Sequence, residues 1–281
     1  MATWAWTMTP EVDLDAYFAR IGYDGPRAPT LEVLGALHAL HPAAIPFEAV
    51  DVLLDRGVDI SPAAVDAKLI RAGRGGYCYE HNGLFKRVLT ALGFDVEGLA
   101  GRVVWMAPPD APMRPRTHMA LRVTIDDDPY LVDVGFGGCV LTQPLRFQLD
   151  EEQPTAHEPF RLSLAGEDVA VEIRIGDEWK TAYELSFEVM HDVDYQLANW
   201  WTSTHPSSHF RQNLVVARTT PKARYAVLNN RLTVRTRDGA MDRQVLDAEG
   251  LRRALVEDFG LPVQTDWGPV IERAVALGDG V

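Results

Sequence analysis

The spacing of apolar residues changes once along this chain, and the change limits what it can fold into. Up to about residue 92 apolar positions recur at helical intervals; from Phe94 to about Phe187 they alternate in short runs separated by turn residues. No repeat and no low-complexity linker divides the 281 residues, so the two patterns predict packed subdomains with a helical part followed by a strand-rich part.

Within the helical part, "DLDAYFARIGY" and "TLEVLGALHALH" carry amphipathic spacing, Pro29 and Thr30 introduce the second, and Pro46 ends the region after it. "SPAAVDAKLIRAG" predicts another helix, with Ser61 as N-cap, Pro62 at the first helical position and Gly73 as the stop. After Gly75 and Gly76, the positions Leu84, Phe85, Val88, Leu89 and Leu92 fall on one helical face that ends at Gly93. That helix has Cys78 in its first turn.

In the strand part, "HMALRVTI" and "YLVDVGF" flank the acidic turn "DDDP" and predict an antiparallel hairpin. "RLSLAG", "DVAVEIRIG" and "WKTAYELSFE" follow closely, which suggests a sandwich or small barrel. "ANWWTSTHPSSHFRQN" reads as a loop. Beyond it "YAVLNNRLTV" predicts a hairpin turning at Asn229 and Asn230, and "DAEGLRRALVEDFG" and "WGPVIERAVAL" predict two closing helices.

A formal net charge of -13 disfavours general nucleic-acid binding, which needs Lys and Arg to neutralise phosphates. The N-terminal stretch lacks a basic start followed by an apolar run, and no segment holds eighteen consecutive apolar residues, so a cytoplasmic protein with no membrane span is expected. Two cysteines, Cys78 and Cys139, do not make a disulfide scaffold, and reduced thiols are expected.

The stretch "RGGYCYEHNGLF", residues 74–85, concentrates the chemistry. A helix N-terminus presents unpaired N–H groups and the positive end of the dipole, a setting that favours a charged sulfur. The two glycines allow close backbone approach before it. Packing under a helix start explains a cysteine equally well.

A nucleophilic cysteine needs a base, and the base needs an orienting partner. His118 opens one strand of the predicted hairpin and Asp133 ends the other, so antiparallel pairing brings them within a few residues of each other. An aspartate bracketed by Val132 and Val134 needs a partner if buried; a capped strand end beside a surface histidine is the alternative. His81, three residues after Cys78, competes as base or metal ligand, but no second cluster completes a metal site, and on a helical projection it packs or faces solvent. "VGFGG" after Asp133 offers backbone N–H groups to phosphates or is a plain turn. Cys139 reads as structural.

These segments resemble the arylamine N-acetyltransferases. "RGGYCYEHNG" is similar to that family's active-site signature at Arg74, Gly75, Gly76, Cys78, Glu80 and Asn82; "THMAL" and "LVDVGFG" resemble its histidine and aspartate segments. "LDAYFARIGYDG", "IPFEAVDV" and "STHPSSHF" resemble it in the same order, from about residue 13 to 210.

The resemblance implies an α+β fold: a helical N-terminal domain (1–92), an antiparallel β-barrel (93–200) and a C-terminal α/β lid (201–281), around a cysteine-protease-like catalytic core. It implies ping-pong transfer of acetyl from acetyl-CoA to an arylamine, arylhydrazine or arylhydroxylamine. Cys78 would be the nucleophile, His118 its proton partner and Asp133 the orienter. Phe136, Gly137, Gly138, Thr117 and Trp105 would contact CoA, and Phe47, Val103 and Phe210 would line the amine pocket, each with core packing as the competing explanation. Glu80, Asn82 and Arg74 would support the loop. No metal, nucleic-acid or membrane partner is implied, and the chain would act as a monomer or homodimer. The rival readings are an amide synthase that closes macrolactams and, further off, a cysteine hydrolase or transglutaminase-like enzyme.

Overall fold

A computed structural model describes residues 12–108 and 110–278; most of the N-terminal stretch read for targeting signals, residues 1–11, lies outside them. The chain starts with α1 (Leu14–Ile21) and α2 (Leu31–Ala44), then a short strand β1 (Phe47–Glu48), α3 (Val50–Leu53) and α4 (Pro62–Val65), which runs into a π-helical segment, Asp66–Arg71. Asp13 and Thr30 cap α1 and α2 by accepting from Ala16 and Val33 N–H. Helix α5 (Cys78–Ala91) follows.

Strands β2 (Asp95–Val103), β3 (Arg116–Ile125), β4 (Asp128–Val132), β5 (Leu145–Arg146), β6 (Phe160–Ala165), β7 (Asp168–Ile175) and β8 (Glu178–Val189) form one antiparallel sheet in the order β5-β4-β3-β2-β8-β7-β6. The segment after β5 bridges to β6 at Leu149–Leu162 and Gln153–Phe160, which nearly closes the sheet into a barrel. This resolves the choice between sandwich and barrel. Alternation sorts the side chains: Ala120 and Leu131 join Leu162, Val171 and Leu185 inside the barrel, whereas Met119, Leu121, Val123 and Val132 face α5 and the other N-terminal helices.

After β8 come α6 (Asp192–Thr204), α7 (His209–Gln212), β9 (Val215–Thr219), β10 (Ala223–Leu228), β11 (Arg231–Thr236), β12 (Met241–Val245), α8 (Ala248–Glu257) and α9 (Gly268–Leu277). The hairpin at Asn229–Asn230 and both closing helices form as expected. Among the described residues, no helix is long and apolar enough to cross a membrane.

Two expectations are corrected. Residues 192–204, whose second half was read as loop, form α6 in spite of their Ser and Thr content: buried Tyr195 donates its hydroxyl to Leu99 O, and Asn199 donates to Val58 O. Tertiary contacts here outweigh weak helix propensity. The region up to residue 92 is not wholly helical either, because β1 pairs antiparallel with β9 (Phe47↔Ala217, Glu48↔Val216) and makes a five-stranded sheet in the order β1-β9-β10-β11-β12. A two-residue strand whose partner is this distant leaves no periodic signal.

Candidate active site

Cys78 is the first residue of α5, buried at 5% exposure, after a loop held at very short range. A Cβ on Gly75 would lie 2.0 Å from Pro46 O, and one on Gly76 would lie 2.7 Å from Glu80 Oε2. Glu80 accepts from Tyr77 N–H at 2.9 Å and thereby caps the helix. It also pairs with Lys68 at 2.8 Å. Arg74 anchors the preceding loop by donating from Nη2 and Nε to Glu48 and from Nη1 to Asp51, and its guanidinium lies 5.1 Å over the Trp267 ring. The supporting roles read for Glu80 and Arg74 are therefore capping and loop anchoring.

His118 and Asp133 meet because His118 lies on β3 and Asp133 directly follows β4, the strand paired with it. The ladder ends at Leu121↔Val132, so Asp133, the next residue after β4, leaves the sheet close to the β3 segment that carries His118. His118 Nε2 donates to Asp133 Oδ2 at 2.8 Å, with the carboxylate wholly buried. Asp133 Oδ1 also accepts from Asn82 Nδ2 and from Gly135 N–H, both at 2.9 Å. Asn82 donates to Met119 O at 2.7 Å and accepts from Val134 N–H at 3.1 Å, so one side chain of α5 ties down β3 and the turn after β4.

Burial works against charge on both groups. It would push the His118 imidazole down, but the Asp133 carboxylate, and after it the Cys78 sulfur, raise it to about 10. Burial likewise favours the neutral Asp133 acid, yet His118 and then the Asn82 and Gly135 donors hold its carboxyl below the usual range. Cys78 Sγ lies 3.6 Å from Thr117 O, at the start of the strand that carries His118. A Cβ on Gly135 would sit 2.9 Å from Cys78 Cα, so the turn after Asp133 packs directly on the start of α5. The arrangement is a buried thiol beside an imidazole that is oriented and made cationic by a carboxylate. It can activate sulfur and shuttle one proton.

The remaining predicted residues divide into those near this centre and those further along the sheet. Phe136 lies edge-on to His118, with ring centroids 5.2 Å apart. Gly137, at φ +82°, turns toward the Phe47 ring, and Gly138 faces Ala226 of β10. Trp105 donates its backbone N–H to Ala182 O, and its side chain packs on the barrel interior. Phe47 and Phe210 stand 5.9 Å apart, whereas Val103 sits on β2 opposite Tyr183. Buried Cys139 lies 3.8 Å from Arg235 Nη2, and burial raises its thiol. His81 packs rather than faces solvent: it bonds to His41 and Pro46 O, not to Asp133.

A family model described as N-acetyltransferase matches residues 30–267. The chain is also 44% identical, over 94% of its length and 98% of the relative, to an arylamine N-acetyltransferase of Mycolicibacterium smegmatis. This chain belongs to the arylamine N-acetyltransferase family. The structure of the M. tuberculosis arylamine N-acetyltransferase matches it with a TM-score of 0.89 at 42% identity, covering 94% of this chain and 99% of that one. The Mycobacterium marinum arylamine N-acetyltransferase in complex with CoA matches at 0.87 and 42%, covering 94% and 97%.

Two residues in contact with this candidate site escaped the sequence reading. Tyr183, fully buried on β8, brings its ring centroid within 4.6 Å of His118; a Cβ on Gly101, the β2 partner of His118, would lie 3.3 Å from the Tyr183 ring and in ordinary contact with His118. His38, on α2, accepts the Asp133 N–H at 3.2 Å. Tyr183 alternates like any inward-facing strand residue and His38 sits among helical apolar positions, so neither carried a distinguishing local signal.

Proposed function

We propose that the chain catalyses ping-pong acetyl transfer from acetyl-CoA, through a thioester on Cys78, to an arylamine, arylhydrazine or arylhydroxylamine. The observation that carries this reading is the buried Asp133–His118 pair beside a cysteine at a helix N-terminus, in a chain of this family. The curated relative and the CoA-bound neighbour support the acceptor and donor classes.

Cys78 Sγ, as a thiolate whose proton already rests on His118 Nδ1, the nitrogen not engaged by Asp133, attacks the acetyl carbonyl carbon. Collapse of the tetrahedral adduct breaks the bond to the CoA sulfur, which leaves with the proton from His118. The amine nitrogen then attacks the acetyl carbon on Cys78 and gives a proton to His118, and the bond to Cys78 Sγ breaks to release the amide and restore the thiolate beside the cationic imidazole. Asp133 keeps the imidazole oriented and stabilises its cationic form throughout.

In this reading Phe136, Gly137, Gly138, Thr117 and Trp105 contact CoA, and Phe47, Val103 and Phe210 contact the amine. The enzyme acts in the cytoplasm as a monomer or homodimer, with no metal. Intact-mass and peptide analysis after mixing with acetyl-CoA alone should find one acetyl group on Cys78 and none on the Cys78→Ala variant. Acetylation that persists in Cys78→Ala, or none in the wild type, would overturn the proposal.

A further inference from the structure

Tyr17, His41 and His81 form a buried chain that the proposed reaction does not use. They come from α1, α2 and α5, and His81 follows Cys78 by three residues. Tyr17 Oη lies 2.8 Å from His41 Nδ1, His41 Nε2 lies 2.9 Å from His81 Nδ1, and His81 Nε2 lies 3.2 Å from Pro46 O.

The carbonyl end sets the direction of every bond. Pro46 O can only accept, so His81 carries its proton on Nε2 and accepts at Nδ1. His41 then donates from Nε2 and accepts at Nδ1, and Tyr17 donates its hydroxyl. Each histidine is neutral and fixed in one tautomer. Burial agrees with this, lowering His81 to about 4 and His41 well below the ordinary imidazole value.

The carbonyl that ends the chain belongs to the residue before Phe47, and Gly76 N–H also donates to it, at 3.3 Å. The Phe47 ring is parallel to the His81 imidazole, with an interplanar angle of 5° and centroids 6.3 Å apart, and Phe210 stands on Phe47 at 5.9 Å. His81 thus fixes the peptide preceding Phe47 and one face of its ring. Cys78, His118 and Asp133 make no hydrogen bond to this chain.

We propose that His81 is a positioning residue for acceptor recognition: through the Tyr17–His41–His81 chain it sets Phe47 as the wall against which the aromatic ring of the amine packs, independently of thioester formation. The proposal rests on the acetyl-carrier reading of Cys78 and on Phe47 lining the acceptor pocket.

Two half-reactions and two acceptors separate these claims. In His81→Gln, single-turnover acetylation of Cys78 should stay within about twofold of wild type, while KM for an aniline-type acceptor rises roughly fivefold, the worth of one neutral hydrogen bond. KM for unsubstituted hydrazine, which has no ring to pack, should hardly change. Tyr17→Phe should shift the aniline KM in the same direction by less, and it serves where His81→Gln folds poorly. Long-range 1H–15N correlation spectra of the wild type should show His41 and His81 protonated on Nε2.

Equal KM changes for the ringed and ringless acceptors, a parallel fall in acetylation, or Nδ1-protonated His81 would each overturn the inference. A wild type that takes no acetyl group would instead overturn the reading on which it rests.

Discussion

Two sets of buried histidines lie around α5 and reach opposite charge states. His118 and His81 are both at least 97% buried, yet the first is raised to about 10 and the second lowered to about 4. The difference lies in the partner. His118 donates to a carboxylate that it and two further donors keep ionised, whereas the side chains of His41 and His81 bond, among the described residues, to uncharged groups: a tyrosine, each other and backbone carbonyl oxygen. His38, which accepts the Asp133 backbone N–H, is likewise lowered to about 4. Burial by itself makes a histidine neutral, and one well-placed anion converts it into the charged member of a catalytic pair.

Removing that anion should have the largest effect. Asp133→Asn should bring the His118 titration, followed by NMR, down toward the range of the other buried histidines. Turnover should fall on the order of 10³–10⁴-fold, as expected when the orienting acid of such a triad is lost. A variant that kept both the high imidazole value and near-normal turnover would break the comparison.

Acid should expose the other side of it. His38 and His81 have folded-state values below the unfolded one, so their contribution to stability is complete above about pH 6.5 and is lost as pH falls through about 4. His118 has the opposite sign: its contribution is complete below about 6.5 and is lost as pH rises through about 10. Urea unfolding measured from pH 8 to 4.5 should show stability falling by a few kcal/mol on the acid side, with net proton uptake on unfolding. A flat profile would mean that the neutral histidines are not coupled to folding.

The smallest effect should come from Tyr183→Phe. The ring contact with His118 survives and only the hydroxyl near Asp133 is removed, so turnover should fall by roughly fivefold, with the His118 titration left high. A collapse of that titration would make Tyr183 part of the charge relay and not a packing partner.

How much of this was legible in the sequence depended on whether a contact followed the local pattern. Cys78 could be set at a helix start from the glycines before it and the apolar face after it, and His118 and Asp133 could be paired because one short hairpin joins them. Asn82 could be seen only as a supporting residue, since its bond to Asp133 joins α5 to the turn after β4. His38 reaches Asp133 from 95 positions earlier, and Tyr183 reaches His118 across β2; the residue types announce neither contact. Helix α6 was obscured for the same reason, because its Ser and Thr residues argue locally for a loop while Tyr195 and Asn199 are fixed by distant backbone.

The pairing of β1 with β9 also sets a schedule. Phe47 and its partner Ala217 are 170 positions apart (217 − 47), so at bacterial-to-eukaryotic synthesis speeds roughly 10–30 s separate their emergence from the ribosome. Cys78, His118 and Asp133 are therefore all synthesised before the strand that pairs with Phe47. On the proposed reading, the wall for the acceptor is the last part of the site to be completed.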